Sequence, residues 1–288
     1  MKTLSFGEIL WDIYPEEKYI GGAPLNFAAH LSQHGENVSM MSAVGRDKLG
    51  EDALYRLSKW HISTKYVSLS EYPTGRCIVS IDNDGIPKYD LLENAAFDRI
   101  PYWDSDEDFD VLYFGTLALR NEHNHITLQK LLANKKFSEI FVDINIRPPF
   151  YSKKAIESAF SKASIIKISI EELPIVAKES EIDFSGDHKA FAQNVAKKYD
   201  NIKIIIITLG EKGAFALDCK KDTEYGCNAE KVEVASTVGA GDSFSAAFLH
   251  KYTGGSKIQH CLDYASRVSG FVVTRYDAVP EYSPKDFE

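Results

Sequence analysis

The chain has 288 residues, of which 44% are hydrophobic and 26% charged, a composition typical of a folded protein with a substantial core. Its formal net charge of −9 argues against unspecific binding to nucleic acid, because little positive charge is left to neutralise phosphates. No apolar run approaches the length of a membrane span, and no signal-peptide core follows the first residues. Its four cysteines form no C-x-x-C pair, which fits a reducing compartment. We therefore expect a cytoplasmic protein with neither nucleic-acid nor membrane partners.

The N-terminal part alternates predicted strands and helices. Residues 4–10 and 38–44 have the composition of strands, whereas residues 23–34 and 47–60 show helical spacing of their apolar side chains. Alternation of this kind is typical of a parallel sheet whose strands are joined by helical crossovers.

Residues 65–98 break the alternation. Residues 76–82 and 86–92 are predicted strands, and Asn83-Asp84-Gly85 between them is a hairpin-turn signal. We predict a small β lid, formed by about residues 11–20 and 64–98, inserted into one α/β domain that spans residues 1–288.

The alternation resumes near residue 110. Four short apolar runs, at residues 111–114, 140–143, 165–168 and 204–207, have the composition of parallel strands buried on both faces. Helices are predicted near residues 121–136, 152–160, 171–178, 187–199, 241–252 and 256–275. The fold class is therefore α/β, a mostly parallel sheet flanked by helices.

The segment Thr237-Val238-Gly239-Ala240-Gly241-Asp242-Ser243-Phe244 carries the strongest chemical signal. A glycine-rich entry into a helix presents free N–H groups that attract anions. The carboxylate of Asp242 suits the removal of a proton from a hydroxyl group. The two together predict phosphoryl transfer to an alcohol. The simpler alternative is that the glycines shape a tight loop and Asp242 caps the helix, so the interpretation depends on residues elsewhere.

Polar residues follow several predicted strands, at the sheet edge where α/β proteins place their sites. They are Glu8 and Asp12 after the first strand, then Asp143, Asn145 and Arg147, then Lys167, Ser169 and Glu172, and finally residues 208–213.

With these residues in view, the chain is similar to a known family. Residues 237–242 resemble the C-terminal signature of the ribokinase-type (PfkB) carbohydrate kinases, and residues 21–28 with 44–50 resemble their N-terminal signature. Gly21-Gly22-Ala23-Pro24-Leu25-Asn26 and residues 143–149 look most like the fructokinase branch. The resemblance implies a three-layer ribokinase-like fold with a small β-sheet lid, ATP and Mg²⁺ as cofactors, and phosphoryl transfer to a sugar, with fructose favoured.

The resemblance also implies a role for each matching residue. Asp242 would be the general base, and the backbone of Gly239, Ala240, Gly241 and Asp242 would form an anion hole. Asp12, Gly22 and Asn26 would bind the sugar, because carboxylates and amides hydrogen-bond hydroxyls well. The nucleotide would contact Asn145, Arg147, Lys167, Thr208, Gly210 and Gly213, and Glu172 would act on Mg²⁺ through water. Simpler interpretations remain open. Asp12 could cap a turn, Asn26 could lie on a helix face without binding a ligand, and Arg147 could form a surface ion pair.

The sequence departs from the family pattern in three places, one of them the segment Tyr276-Asp277-Ala278-Val279-Pro280, which stands where the family commonly shows Gly-Ala near its cation loop. Ser169 stands where the family has the amide of its magnesium-linked element, and Ser236 stands where an aspartate linked to a monovalent cation is common. We therefore do not expect potassium activation. Alternatives are a kinase of the same fold for ribose, ketodeoxygluconate or a nucleoside, or a catalytically weak sugar sensor. We also expect the lid to pair between subunits of a homodimer.

Overall fold

The computed structural model describes residues 1–81 and 87–288, so the predicted turn at Asn83-Asp84-Gly85 lies outside the described residues. The described strands are β1 (Lys2–Phe6), β2 (Leu10–Ile13), β3 (Lys18–Gly21), β4 (Asn37–Gly45), β5 (Ser63–Ser70), β6 (Gly75–Ile81), β7 (Pro87–Leu91), β8 (Val111–Gly115), β9 (Glu139–Asp143), β10 (Ile165–Ser169), β11 (Ile204–Thr208), β12 (Ala214–Asp218) and β13 (Thr223–Cys227). The described helices are α1 (Ala23–Gln33), α2 (Lys48–Lys59), α3 (Glu122–Asn134), α4 (Lys153–Lys162), α5 (Leu173–Ser180), α6 (His188–Lys198), α7 (Ala240–Thr253) and α8 (Ile258–Val272).

Nine strands form the large sheet, in the order β13-β12-β11-β10-β9-β8-β1-β4-β5. The pairs from β11 to β5 are parallel, whereas β12 and β13 are antiparallel additions at one edge. Parallel neighbours require crossover connections, and these place helices over both faces of the sheet. The predicted α/β class with a mostly parallel sheet is confirmed.

Two hydrophobic cores, one on each face of the large sheet, make the molecule three-layered. Side chains of α1, α2, α7 and α8 pack with Ile204 and Ile206 on one face. Side chains of α3, α4, α5 and α6 pack with Ile205 and Ile207 on the other. Because successive side chains of a strand point to opposite faces, the four isoleucines of β11 serve both cores. This explains their continuous apolar run.

A separate small sheet has the order β3-β2-β6-β7. The pairs β2–β3 and β6–β7 are antiparallel, and β2–β6 is parallel. A third apolar cluster of Leu10, Ala95, Phe97 and Leu117 packs where this sheet meets the body. The small sheet therefore rests on an apolar support at the edge of the large one.

One sequence expectation about strands needs correction, and one hairpin was missed. The predicted lid began near residue 64, but residues 63–70 form β5, which pairs in parallel with β4 at the edge of the large sheet. Most side chains of β5 are half-exposed, as expected for a strand at the edge of a large sheet. A strand in a lid has the same pattern, so the sequence could not show to which sheet β5 belongs. The hairpin β12–β13 was not predicted at all.

Candidate active site

The site is built around the first turn of α7. Gly239 is the residue that precedes the helix, with a φ of 81°, and no side chain caps the N-terminus in the described chain. A Cβ at Gly239 would lie 2.3 Å from the carbonyl oxygen of Ala278, so both conformation and space require glycine. The N–H of Ala240 donates to the carbonyl of Thr237 at 3.3 Å. The uncapped N–H groups that follow, together with the helix dipole, make this turn suited to an anion.

Asp242 lies in that first turn, buried, and its Oδ2 accepts a hydrogen bond of 2.8 Å from Nδ2 of Asn26. The pKa of Asp242 is raised to about 6, because burial and the charge of Asp143 raise it by more than the hydrogen bond from Asn26 and the charges of Lys167 and Arg147 lower it. Asp242 is thus a carboxylate at neutral pH, yet more basic than an exposed aspartate. These are the properties of a general base.

A buried ion pair lies beneath the same turn. Nζ of Lys167 is 2.8 Å from Oδ2 of Asp143, which also accepts from Ser245 at 3.3 Å and from the Tyr113 hydroxyl at 3.4 Å. Burial alone would lower the pKa of Lys167, but the carboxylates of Asp143 and Glu172 outweigh it and raise the pKa. The Lys167 ammonium is 3.3 Å from the position of a Cβ on Gly241. Lys167 therefore adds positive charge to the N-terminus of α7 while paired with Asp143.

The predicted acceptor residues come from β2 and the start of α1. Asp12 lies on β2, and burial raises its pKa to about 6 while the charge of Arg147 lowers it. Gly22 precedes α1 with a φ of 110°, and a Cβ there would lie 2.6 Å from the carbonyl oxygen of Glu8. Asn26, one turn into α1, leaves its amide oxygen buried without a partner in the described chain. The small sheet and α1 thus present polar groups toward the base.

Glu8, which directly follows the first predicted strand, received no role from the sequence. It is 2% exposed, and burial raises its pKa to about 7, with Arg147 lowering and Asp242 raising it. Its position after a strand was the only signal in the sequence.

The predicted nucleotide residues follow three adjacent strands. Asn145, with a left-handed φ of 46°, and the exposed Arg147 follow β9, and Lys167 lies on β10. Thr208 ends β11, and Gly210 follows it with a φ of 59°; a Cβ there would lie 3.9 Å from Oε1 of Glu171. The guanidinium of Arg147 makes no ion pair or hydrogen bond with any residue that the structure describes, which leaves it free for an anionic ligand.

Two predicted site residues have structural explanations of their own. Gly213 has a φ of 93°, and a Cβ there would lie 2.0 Å from the carbonyl of Cys227, so the packing of β13 alone requires glycine. The carboxylate of Glu172 accepts from the N–H groups of Ile146 at 2.5 Å and Ser169 at 2.7 Å, and it ties two site loops together. Their contacts with ligands remain predictions.

Among residues 1–81 and 87–288, no three histidine, cysteine, aspartate or glutamate side chains are grouped as metal ligands. Within these ranges the side chains therefore offer no cage of protein ligands for a metal ion. Of the helices in these ranges, none has the length and apolar character to span a bilayer.

A mostly parallel α/β sheet, with an uncapped helix N-terminus beside a buried carboxylate at its edge, defines an enzyme that handles an anionic group next to a proton acceptor. Comparison with known families gives the particular class: residues 15–285 match the model of the pfkB family carbohydrate kinases. The chain belongs to this family and is a sugar kinase, as its two signature segments indicated.

Characterised relatives differ in the sugar that their names give. The chain is 28% identical over 265 residues to a fructokinase of Rhizobium leguminosarum bv. trifolii, which covers 85% of this chain and 78% of the relative. It is 26% identical over 283 residues to a ribokinase of Dictyostelium discoideum, with 93% and 87% covered.

Solved structures confirm the ribokinase-like fold. The fructokinase from Vibrio cholerae O395, solved with fructose, ADP and calcium ion, superposes with a TM-score of 0.83 at 18% identity, covering 99% of this chain and 98% of that one. The 2-dehydro-3-deoxygluconokinase from Thermotoga maritima superposes with a TM-score of 0.82 at 19% identity, covering 100% and 98%.

Proposed function

We propose that this protein transfers the γ-phosphoryl group of ATP to a hydroxyl group of fructose. The observation that carries the proposal is the buried Asp242 carboxylate, held by Asn26 at the uncapped N-terminus of α7. The relatives named as fructokinases, and the solved fructokinase with bound fructose and ADP, support fructose as the acceptor.

In the proposed reaction, the acceptor hydroxyl gives its proton to Oδ of Asp242 as its oxygen attacks the γ-phosphorus, and the bond to the ADP oxygen breaks. The Asn26 amide orients the carboxylate, and Asp12 and the Gly22 backbone hold other hydroxyls of the sugar. The backbone N–H groups of Gly239, Ala240, Gly241 and Asp242 stabilise negative charge on the transferred phosphoryl group, the larger part of catalysis in such reactions.

The donor nucleotide is proposed to lie over the ends of β9, β10 and β11, where Asn145, Arg147 and Lys167 meet Thr208, Gly210 and Gly213. Mg²⁺ would neutralise charge on the ATP phosphates, and we propose that Glu172, whose two oxygens each accept one backbone N–H, acts on it through water. We propose that no monovalent cation is needed. Ser236 stands where an aspartate linked to such a cation is common, and its hydroxyl already accepts a hydrogen bond from the N–H of Val238 at 3.2 Å. The carbonyl oxygen of Ala278 likewise has a neighbour in the protein, Nε2 of His30 at 2.9 Å.

A ketodeoxy sugar acid is the second candidate acceptor. The charge of Arg147 lowers the pKa of both Asp12 and Glu8, which supports a role for its guanidinium on the acceptor side of the site. A guanidinium suits bidentate contact with a carboxylate as well as with phosphate. The Thermotoga maritima neighbour is named for a substrate of this kind.

A coupled assay of ADP release tests both candidates. Purified protein with ATP and Mg²⁺ is given fructose, ribose, glucose, ketodeoxygluconate or adenosine, with and without potassium. We expect the highest kcat/KM with fructose and no dependence on potassium. Preference for ketodeoxygluconate would select the second candidate. Absence of turnover with every acceptor, together with measurable sugar binding, would instead identify a sugar sensor.

We further propose that the molecule acts as one cytoplasmic kinase domain, with the small sheet as a lid over the acceptor. The lid would also be the homodimer contact. Strand β6 supports this: Cys77 and Val79 are buried, whereas Ile78 between them is 44% exposed on the opposite face.

A further inference from the structure

Glu8 is a buried acid with an unused oxygen beside the proposed base. Its side chain is 2% exposed, and Oε2 is buried without a hydrogen-bond partner among the residues that the structure describes. Folded proteins rarely leave such an atom unpaired, because a lost hydrogen bond in a buried place is costly. An unpaired buried oxygen at the edge of a binding site therefore indicates a place for a ligand atom.

Three charged or titratable groups on three elements surround Glu8. Asp242 on α7 raises its pKa, Arg147 after β9 lowers it, and Glu8 itself raises the pKa of Tyr113 on β8. The N–H of Ala23 also lowers the pKa of Glu8, and Gly22 packs against the Glu8 carbonyl. Glu8 thus lies against the start of α1, where the acceptor is proposed to bind, and its carboxyl group interacts electrostatically with Asp242 and Arg147.

The charges of the site favour a neutral Glu8. Asp242 must be ionised to accept a proton, and Asp143 forms an ion pair with Lys167. A third ionised carboxylate in the same buried region would be repelled by the other two. The neutral acid avoids this cost and has an O–H group to donate.

We propose that Glu8 is a specificity-determining residue of the acceptor site, and that its neutral carboxyl group donates a hydrogen bond from Oε2 to an oxygen of the acceptor sugar. This rests on the proposed kinase function. It assigns to the connection between β1 and β2 a direct contact with the substrate, in addition to the contacts expected from Asp12 and Asn26.

Three variants test the contact: Glu8→Ala, Glu8→Gln and Thr3→Val. Glutamine keeps the shape and a donor without the charge, as the neutral acid does. Thr3 is the matched control, because it lies on β1, which ends two residues before Glu8, is fully buried and also has an oxygen without a partner among the described residues. Each variant is measured for KM of sugar and of ATP, for direct sugar binding by calorimetry without ATP, and for Tm.

We expect Glu8→Ala to raise KM and Kd for the sugar by about tenfold or more while leaving KM for ATP within about twofold, since one buried hydrogen bond is lost. Glu8→Gln and Thr3→Val should keep sugar KM within about threefold of the wild type. The wild-type sugar Kd should rise as pH increases through about 7, where Glu8 ionises, and that of Glu8→Gln should not.

Equal losses in Glu8→Ala and Glu8→Gln would overturn the neutral-donor assignment. Unchanged sugar binding in Glu8→Ala, or a change in Tm alone, would show that Glu8 serves only to hold Ala23 and α1. Both results require a wild type that is active in the assay panel, whereas a wild type inactive with every sugar contradicts the kinase proposal itself.

Discussion

At the scale of single residues, the site sets the protonation of its acids by burial. Asp242 and Asp12 both have pKa values raised to about 6, with burial as the largest cause, and that of Glu8 reaches about 7. The positive charges of Lys167 and Arg147 lower the pKa of Asp242 and partly offset the effect of burial. The balance leaves Asp242 ionised at neutral pH, as the proposed base must be to accept a proton.

The proposed base gives a prediction about mutation and pH. Asp242→Asn removes the proton acceptor but keeps the side-chain shape, so kcat should fall about 10²- to 10⁴-fold. Because the carboxylate is the active form, kcat/KM of the wild type should fall as pH decreases through about 6. Steady-state kinetics from pH 5 to 8 measure both effects.

The Kd of ATP serves as the control for this variant. It should change by no more than about threefold in Asp242→Asn, since the anion hole consists of backbone groups. Turnover within a few-fold of the wild type would show that Asp242 is not the base.

At the scale of elements, the N-terminus of α7 depends on its contact with the C-terminal loop. The Ala278 carbonyl fills the space beside Gly239 and also accepts from Nε2 of His30 on α1, if that nitrogen carries the proton. Burial lowers the pKa of His30 to about 4, so the ring is neutral, and Nδ1 can then accept from the Tyr282 hydroxyl at 3.0 Å. Helices α1 and α7 and the C-terminal loop thus fix one another around the anion hole.

Gly239→Ala tests this contact, with Gly255→Ala as its control. Both glycines have left-handed backbones, with φ of 81° and 84°, but a Cβ at Gly255 meets nothing within 4 Å. Gly255→Ala should therefore cost only the backbone strain, about 1 kcal/mol of unfolding free energy. Gly239→Ala adds the clash with Ala278 and should cost a further 1–3 kcal/mol or more, roughly the penalty of an overpacked core.

Denaturant unfolding gives the two free energies, and kcat shows whether the anion hole moves. We expect Gly239→Ala to lower kcat at least about tenfold, because misplaced donors stabilise the transferred group poorly. Equal stability and activity in the two variants would mean that the loop at Ala278 moves at no energetic cost to make room for the added Cβ.

At the scale of the whole molecule, the sequence predicted what continuous patterns encode. The apolar runs of β8 to β11 require burial on both faces, so the parallel sheet and its helix layers followed from composition alone. The hairpin β12–β13 was not predicted, because β13 alternates exposed and half-buried side chains without a strong turn signal.

Motifs predicted Asp242 and Asn26, which the structure brings within 2.8 Å of each other. The Asp143–Lys167 pair and the unpartnered Glu8 depend on packing between distant strands, which no local pattern records.

The proposed assembly gives the last prediction. Ile78 is 44% exposed on the outer face of the small sheet, and its register partner Ile13 on β2 is partly exposed on the same face. If this face pairs between subunits, Ile78→Glu should convert a wild-type dimer into a monomer, because a desolvated charge at an apolar contact is unfavourable. Ile126→Glu is the matched control, since Ile126 is 46% exposed on α3, away from the small sheet. Sedimentation velocity at micromolar concentrations distinguishes the states. A monomeric wild type, or dissociation of both variants, would contradict pairing through the lid.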